Sequence, residues 1–210
     1  MKQVRAEQPA SSDVAPLLAD HPALDFLNTR PGIRTDDPVE HIGDGGALLT
    51  WLVTAGLLSR VEVGEVRRRF TRAQLDAAAA EARVLRERLR PAVAAWQRSG
   101  GPPAATALAE LNRLLAAGPT IAALHGVDGR TEMTRSHQFP TAAAMLAPVA
   151  EAFGQLFSEG DRQLVRECEA ETCSLWFYDR TKAHRRRWCS MDLCGARAKA
   201  AAYRARKRDD

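Results

Sequence analysis

The sequence predicts an α+β protein: a mainly helical N-terminal domain with a small antiparallel sheet, then a small C-terminal four-cysteine module. Three observations lead there. Apolar residues recur at helical spacing through much of the chain, most clearly between Phe70 and Trp96. One interval, Thr120 to Phe139, alternates instead and is interrupted by Asp128-Gly129, a hairpin signal. Every cysteine falls in one stretch, in two pairs of equal C-x4-C spacing, Cys168/Cys173 and Cys189/Cys194.

The chain has 210 residues, 45% hydrophobic and 27% charged, a composition of soluble globular proteins with enough chain to bury a core. The C-terminal module is too short to do so alone and needs a staple. No run of about eighteen apolar residues exists, so no membrane helix is expected. The N-terminus lacks the apolar core of a secretory leader, and the expected compartment is the cytoplasm.

In chain order, residues 1–16 are polar, contain Pro9 and Pro16, and are expected to be a loosely held tail. Residues 17–160 form the expected first domain. Leu24, Phe26 and Thr29 would line one side of a short strand, with Asp25 and Asn28 as polar groups inside an apolar stretch. Two readings stay open for that pair: a buried turn or capping network, or the corner of a ligand pocket that also uses His137.

Asp44 caps a helix that Gly56 stops, and Val61 to Arg69 starts another. The long helix after Thr71 buries Leu75, Ala78, Ala82, Leu85, Leu89, Val93 and Trp96. Arg83, Arg86, Glu87, Arg88 and Arg90 make its solvated face, and Pro91 is expected to kink or divide it. After a Gly-Pro loop comes a helix over 104–117, with Leu108, Leu111, Leu114 and Leu115 inside. The hairpin over 120–139 would form a small sheet with residues 22–29. Pro140 to Ser158 reads as a helix bent at Pro148, and Gly160-Asp161 as a boundary.

Residues 161–210 are the expected second domain. In a reducing compartment, paired cysteines point to metal rather than disulfides. Four thiolates suit one structural zinc ion per chain, held by Cys168, Cys173, Cys189 and Cys194, and leave no open position for catalysis. A redox pair would show C-x-x-C instead. Trp176, Phe177 and Trp188 are expected to be the module's miniature core, Trp188 on a return strand. After Cys194 an Ala-rich basic helix is expected.

Charge is unevenly placed. Arg180 to Arg208 holds eleven Lys and Arg against one acid, Asp192, while the first 179 residues are net acidic. The cationic candidates for phosphate contact are Arg185, Arg186, Arg187, Arg197, Lys199, Arg204, Arg206, Lys207 and Arg208.

Cys168 to Cys173, Trp176-Phe177-Tyr178-Asp179, Arg186-Arg187-Trp188-Cys189-Ser190-Met191 and Cys194-Gly195-Ala196-Arg197-Ala198-Lys199 resemble the CGNR zinc finger. Leu24-Asp25-Phe26-Leu27-Asn28-Thr29 resembles the ABATE domain that precedes it in bacterial proteins. The Asn that names the finger is Ala196 here. The resemblance implies a stress-induced transcription regulator. The expected partner is therefore DNA, with a small-molecule effector or a homodimer contact served by the N-terminal domain. Two other classes stay open: an RNA- or protein-interaction module with purely structural zinc, and an enzyme in the N-terminal domain. No nucleophile-plus-base motif or phosphate-binding glycine loop favours the enzyme.

Overall fold

In the computed structural model, which describes residues 15–209, the fold is built around a short helix, α1 (Pro22–Leu27). The tail expected over 1–16 falls, up to residue 14, outside the described residues. The strand expected at 22–29 is instead this helix, for a local reason. His21 Nδ1 accepts from Ala23 N at 3.2 Å, and Pro22 sits in the first turn, where its missing N–H is no loss. Ala23 to Leu27 are all buried, so α1 is covered on every side and shows no amphipathic period. The Phe26 ring lies 5.5 Å from Trp51 and 6.1 Å from Phe153.

α2 (Gly45–Thr54) starts at Asp44, whose carboxylate accepts from Ala47 N at 2.8 Å. α3 (Arg60–Arg69) and α4 (Arg72–Ser99) both open with capping boxes, Ser59/Glu62 and Thr71/Gln74. α4 is 28 residues long and is not divided at Pro91. Its apolar stripe stays buried on both sides of the proline, Leu85 and Leu89 before it and Ala92, Val93 and Trp96 after it, and that burial outweighs one missing backbone hydrogen bond.

The face of α4 expected to be solvated is so only in part: Glu87 and Arg88 are exposed, while Arg83, Arg86 and Arg90 turn to protein partners. Arg86 is buried: Nη1 donates to Thr29 Oγ1 at 2.9 Å, and the guanidinium forks onto Glu40 at 2.9 and 2.5 Å. Arg83 donates to Ile42 O and Gly43 O, and Arg90 to Leu27 O at 2.7 Å. These arms reach past the helix to carbonyls and a carboxylate of residues 27–43, satisfying a segment with no ladder of its own.

α5 (Ala105–Ala117) packs on α6 (Ala147–Glu159), with Leu111 and Leu114 buried and Leu108 36% exposed. Between them β1 (Thr120–Val127) and β2 (Arg130–His137) pair antiparallel from Thr120↔His137 to Val127↔Arg130. Asp128 and Gly129 turn the chain with φ of 49° and 73°, as a two-residue hairpin demands. This hairpin does not pair with residues 22–29, and all of its residues but His137 are exposed. A 3₁₀ turn, Ala142–Leu146, leads into α6, and Pro148 lies in the first turn of α6, so it begins the helix rather than bending it.

In the C-terminal part, β3 (Val165–Glu167) pairs with β4 (Trp176–Tyr178). Trp188 is not on a return strand, because the partner of β4 precedes the first cysteine. A wide helical turn, Met191–Gly195, leads into α7 (Ala196–Asp209). The two parts share one core: Val165 and Trp176 belong to the apolar cluster of Phe26, Leu89 and Phe153.

Candidate metal centre and basic helix

The four cysteine sulfurs lie within 4.8 Å of one another, Cys173 to Cys189 at 3.8 Å and Cys189 to Cys194 at 3.6 Å, and none is in a disulfide. A tetrahedron with zinc–sulfur bonds near 2.3 Å needs sulfurs about 3.8 Å apart. The donor set therefore fits one zinc ion.

Local backbone brings the pairs together. Cys168 follows β3, and its amide donates to Leu175 O at 2.9 Å; the Cys173 amide closes a turn onto Ala170 O, also at 2.9 Å. The second pair spans the Met191–Gly195 turn, where the Ser190 hydroxyl accepts from Leu193 N at 3.3 Å. Gly195 is buried there, and a Cβ would lie 3.0 Å from the Met191 sulfur. α7 begins immediately after, so the positive end of a 14-residue helix adjoins the thiolates.

In the protein alone Cys173, Cys189 and Cys194 compete for ionisation. Its hydrogen bond with Cys189 brings the Cys173 thiol down to about 5. The same contact, followed by burial, pushes Cys189 up, and burial with the charge on Cys173 pushes Cys194 up to about 12. One thiolate ionises at its neighbours' expense, and a divalent cation removes that conflict.

Two residues beyond the ligands hold the module's shape. Asp179 is fully buried. Its carboxylate accepts from the Thr181 hydroxyl at 2.6 Å, Thr181 N at 3.1 Å and Arg186 N at 2.9 Å. Burial opposes its ionisation, but the Thr181 hydroxyl, these amides and Arg166 outweigh it and hold its carboxyl below the usual range. Arg186 donates to Leu18 O at 2.8 Å, to Trp188 O at 3.0 Å, to Cys189 O and to the Asp20 carboxylate. Its guanidinium also lies 4.4 Å over the Phe177 ring. A phosphate-contacting role was the expectation for Arg186; its donors are instead spent inside the protein. In the sequence Asp179 figures only as part of the motif Trp176-Phe177-Tyr178-Asp179, with no role of its own, although it is the one acid between the two cysteine pairs.

The other basic candidates divide. Arg187 pairs with Glu169 at 2.6 Å and lies over the Trp188 ring. Arg185, Arg197, Lys199, Arg204, Arg206 and Lys207 are exposed and, among the described residues, make no hydrogen bond or ion pair. The side chain of Arg208 lies outside the described ones. Trp176 and Phe177 are buried, and Trp188 is half-buried beside the ligands.

The suggested pocket trio is not brought together. Asp25 Oδ1 accepts from Leu18 N and Ala19 N, both at 3.0 Å. Asn28 faces Trp176: Nδ2 donates to its carbonyl at 2.8 Å and Oδ1 accepts from its amide at 2.9 Å. His137 sits at the end of β2 between Glu62 at 3.7 Å and Glu151 at 3.4 Å, stacked on Phe139. Asp25 and Asn28 thus serve the capping network and the join to the zinc module.

Fold and site together define a helical domain carrying a four-thiolate zinc finger. The family model described as "Putative stress-induced transcription regulator", ABATE, matches residues 20–160, and that of the CGNR zinc finger matches residues 165–207. The chain belongs to the ABATE family and carries a CGNR zinc finger after the ABATE domain. No curated protein matches it. Among the described residues no helix is long and apolar enough to cross a membrane.

Proposed function

We propose that the protein is a DNA-binding transcriptional regulator in which the zinc finger presents α7 to the phosphate backbone and the ABATE domain serves as the sensing or dimerising half. The observation that carries this reading is the set of exposed, unpaired cations at Arg197, Lys199, Arg204, Arg206 and Lys207 along one projecting helix. Guanidinium and ammonium groups with no internal partner hold their charge free for phosphate, whose neutralisation releases condensed counterions. Zinc enters this reading as a scaffold: Cys194 lies in the turn that launches α7, so ligation sets where the helix starts. Ala196 is the first residue of α7 and exposed, so the substitution at the motif's Asn position leaves the ligand set intact.

The test is binding of zinc-loaded protein to duplex DNA and to RNA hairpins over a salt series, with an Arg204→Ala/Arg206→Ala variant alongside. The reading expects duplex affinity to fall with salt and the double variant to shallow the log–log slope by about 2. Unchanged affinity in the variant overturns it, and preference for the RNA hairpins moves the protein to the interaction-module class.

A further inference from the structure

The β1–β2 hairpin stands outside the core: every one of its strand residues but His137 is exposed. Its base is tied down, where Thr120 Oγ1 donates to Glu151 at 3.1 Å and His137 lies between Glu62 and Glu151. A two-stranded hairpin with neither face packed is marginal in water, and further strands or a packing partner are what stabilise it.

The two edges of the hairpin differ. β2 carries Arg130, Glu132 and Arg135, and charged side chains guard an edge against a further strand. β1 reads Thr-Ile-Ala-Ala-Leu-His-Gly-Val, with no Lys, Arg, Asp, Glu or Pro. Among the described residues its sheet holds β1 and β2 alone, so this uncharged edge is uncovered.

The turn fixes which backbone groups are free. Asp128 and Gly129 both have positive φ, so Val127 and Arg130 close the hairpin as a hydrogen-bonded pair. Pairs alternate from there: Ile121, Ala123, His125 and Val127 bond to β2, while Ala122, Leu124 and Gly126 turn N–H and C=O to the outer side. Among the described residues those outer groups have no hydrogen-bond partner. Leu124, 70% exposed, and the opposite Met133, 57% exposed, share one face of the sheet.

We propose that this edge joins two copies of the chain, β1 pairing antiparallel with β1 about a twofold axis at Leu124. That register sets free groups opposite free groups. Leu124 exchanges two hydrogen bonds with Leu124 of the second copy, and Ala122 does the same with Gly126 on either side of the axis. On the other face Ile121 meets Val127, and Ala123 meets His125. No charge faces a like charge across the seam, because Arg130, Glu132 and Arg135 lie on the outer strands. The product is a four-stranded sheet whose edges are the guarded β2 strands. An acidic or basic foreign segment would find no ion pair along β1, whereas a second copy matches it residue for residue. The assignment rests on reading the ABATE domain as the dimerising half and gives that half its surface. Ile121 to Val127 on each strand make a seam smaller than a standard interface of about 1,600 Å², so the dimer is expected at micromolar rather than nanomolar concentration.

The test is sedimentation equilibrium of the full, zinc-loaded chain without DNA, from about 1 to about 300 µM. Reversible exchange between monomer and dimer is expected. Leu124→Lys sets two ammonium groups against each other at the axis, and Leu124→Glu two carboxylates; each should weaken the dimer by about tenfold or more. Leu124 is exposed in the single chain, so both variants should keep the melting temperature and zinc content of the dilute wild type. Mixing the two variants should restore a dimer, since lysine then meets glutamate across the axis. Met133→Lys, on the outer strand, should leave the dimer within about threefold. A monomer throughout the range, a dimer unchanged by Leu124→Lys, or no recovery on mixing overturns the proposal. So does growth beyond the dimer, which head-to-tail pairing of β1 with β2 would give. The readout uses no DNA, so its failure is separate from failure of the DNA-binding reading.

Discussion

Asn28 and Trp176, 148 residues apart, pair as though both were strand residues: the amide side chain of one donates to the carbonyl and accepts from the N–H of the other, at 2.8 and 2.9 Å. β4 has β3 on one edge, and Asn28 supplies the missing partner on the other. The Trp176 side chain meanwhile lies in the main core. One residue after α1 therefore ties the ABATE domain to the finger.

Replacing Asn28 with Ala leaves both Trp176 backbone groups buried and unpaired, at about 1–3 kcal/mol each. The expected outcome is a loss of about 2–4 kcal/mol in urea unfolding of the zinc-loaded protein, with zinc content still one per chain. A loss below about 1 kcal/mol would mean that the pairing is not held in solution.

Zinc removal should be felt well beyond the finger. Val165 and Trp176 contribute to the same core as Phe26, Leu89 and Phe153. The holo-protein is therefore expected to unfold in a single calorimetric transition. Chelation, or Cys189→Ser, should split the transition and lower the onset, because the buried thiols then lose the cation that reconciles them. Two well-separated transitions in the holo-protein would contradict a shared core.

Neighbouring arginines should behave as opposites. Arg186 forks onto Leu18 O, Cys189 O and Asp20 and lies over Phe177, whereas Arg185 has no polar partner among the described residues. Arg186→Ala is expected to cost about 2–4 kcal/mol of stability, and Arg186→Lys to rescue little, since an ammonium cannot reproduce the fork. Arg185→Ala should leave the melting temperature unchanged. Equal effects of the two alanine variants would remove the structural role given to Arg186.

The contrast shows where sequence stops being informative. Helices α2, α3 and α4 open on a capping side chain, α5 shows only its leucine stripe, and the hairpin was legible because Asp128-Gly129 has one common use. The cysteine spacing gave the metal site, since a donor set is written in residue types. α1 was misread as a strand because a helix buried all round has no period to detect. Arg86, Arg90 and Arg186 were read as surface charge because most arginines are. What buries them is a carbonyl or carboxylate as far as 168 residues away, and no local pattern encodes that distance. Asn28 was flagged as a polar group in an apolar stretch, but its partner lies across the fold.

The capping network beneath the N-terminal segment should show in the pH dependence of stability. Burial is the main cause that pushes the Asp25 carboxyl up to about 6; the amides of Ala19 and Leu18 pull it back, Asp20 raises it and Arg186 lowers it. Folded Asp25 keeps its proton to about pH 6, while the unfolded chain releases it near about 4. Between those values the folded state binds more protons, so this contribution to stability is complete below about pH 4 and lost as pH rises through about 6. His21 works the other way: burial, then Arg180, lowers it from 6.5 to about 4, so its contribution is complete above 6.5 and lost as pH falls toward 4. The two trends oppose each other in the wild type, and acid release of zinc adds a third. Differences between variants isolate them, because the zinc contribution is common to both chains. Asp25→Asn keeps an acceptor for the two amides and removes the titration. Its stability relative to wild type is expected to rise by up to about 3 kcal/mol between pH 4 and pH 6.5 in urea unfolding. His21→Asn, which preserves the cap on Ala23, should lose ground against wild type over the same interval. A pH-independent difference for Asp25→Asn would show that the carboxyl is ionised in the folded state throughout, with its two amide donors outweighing burial.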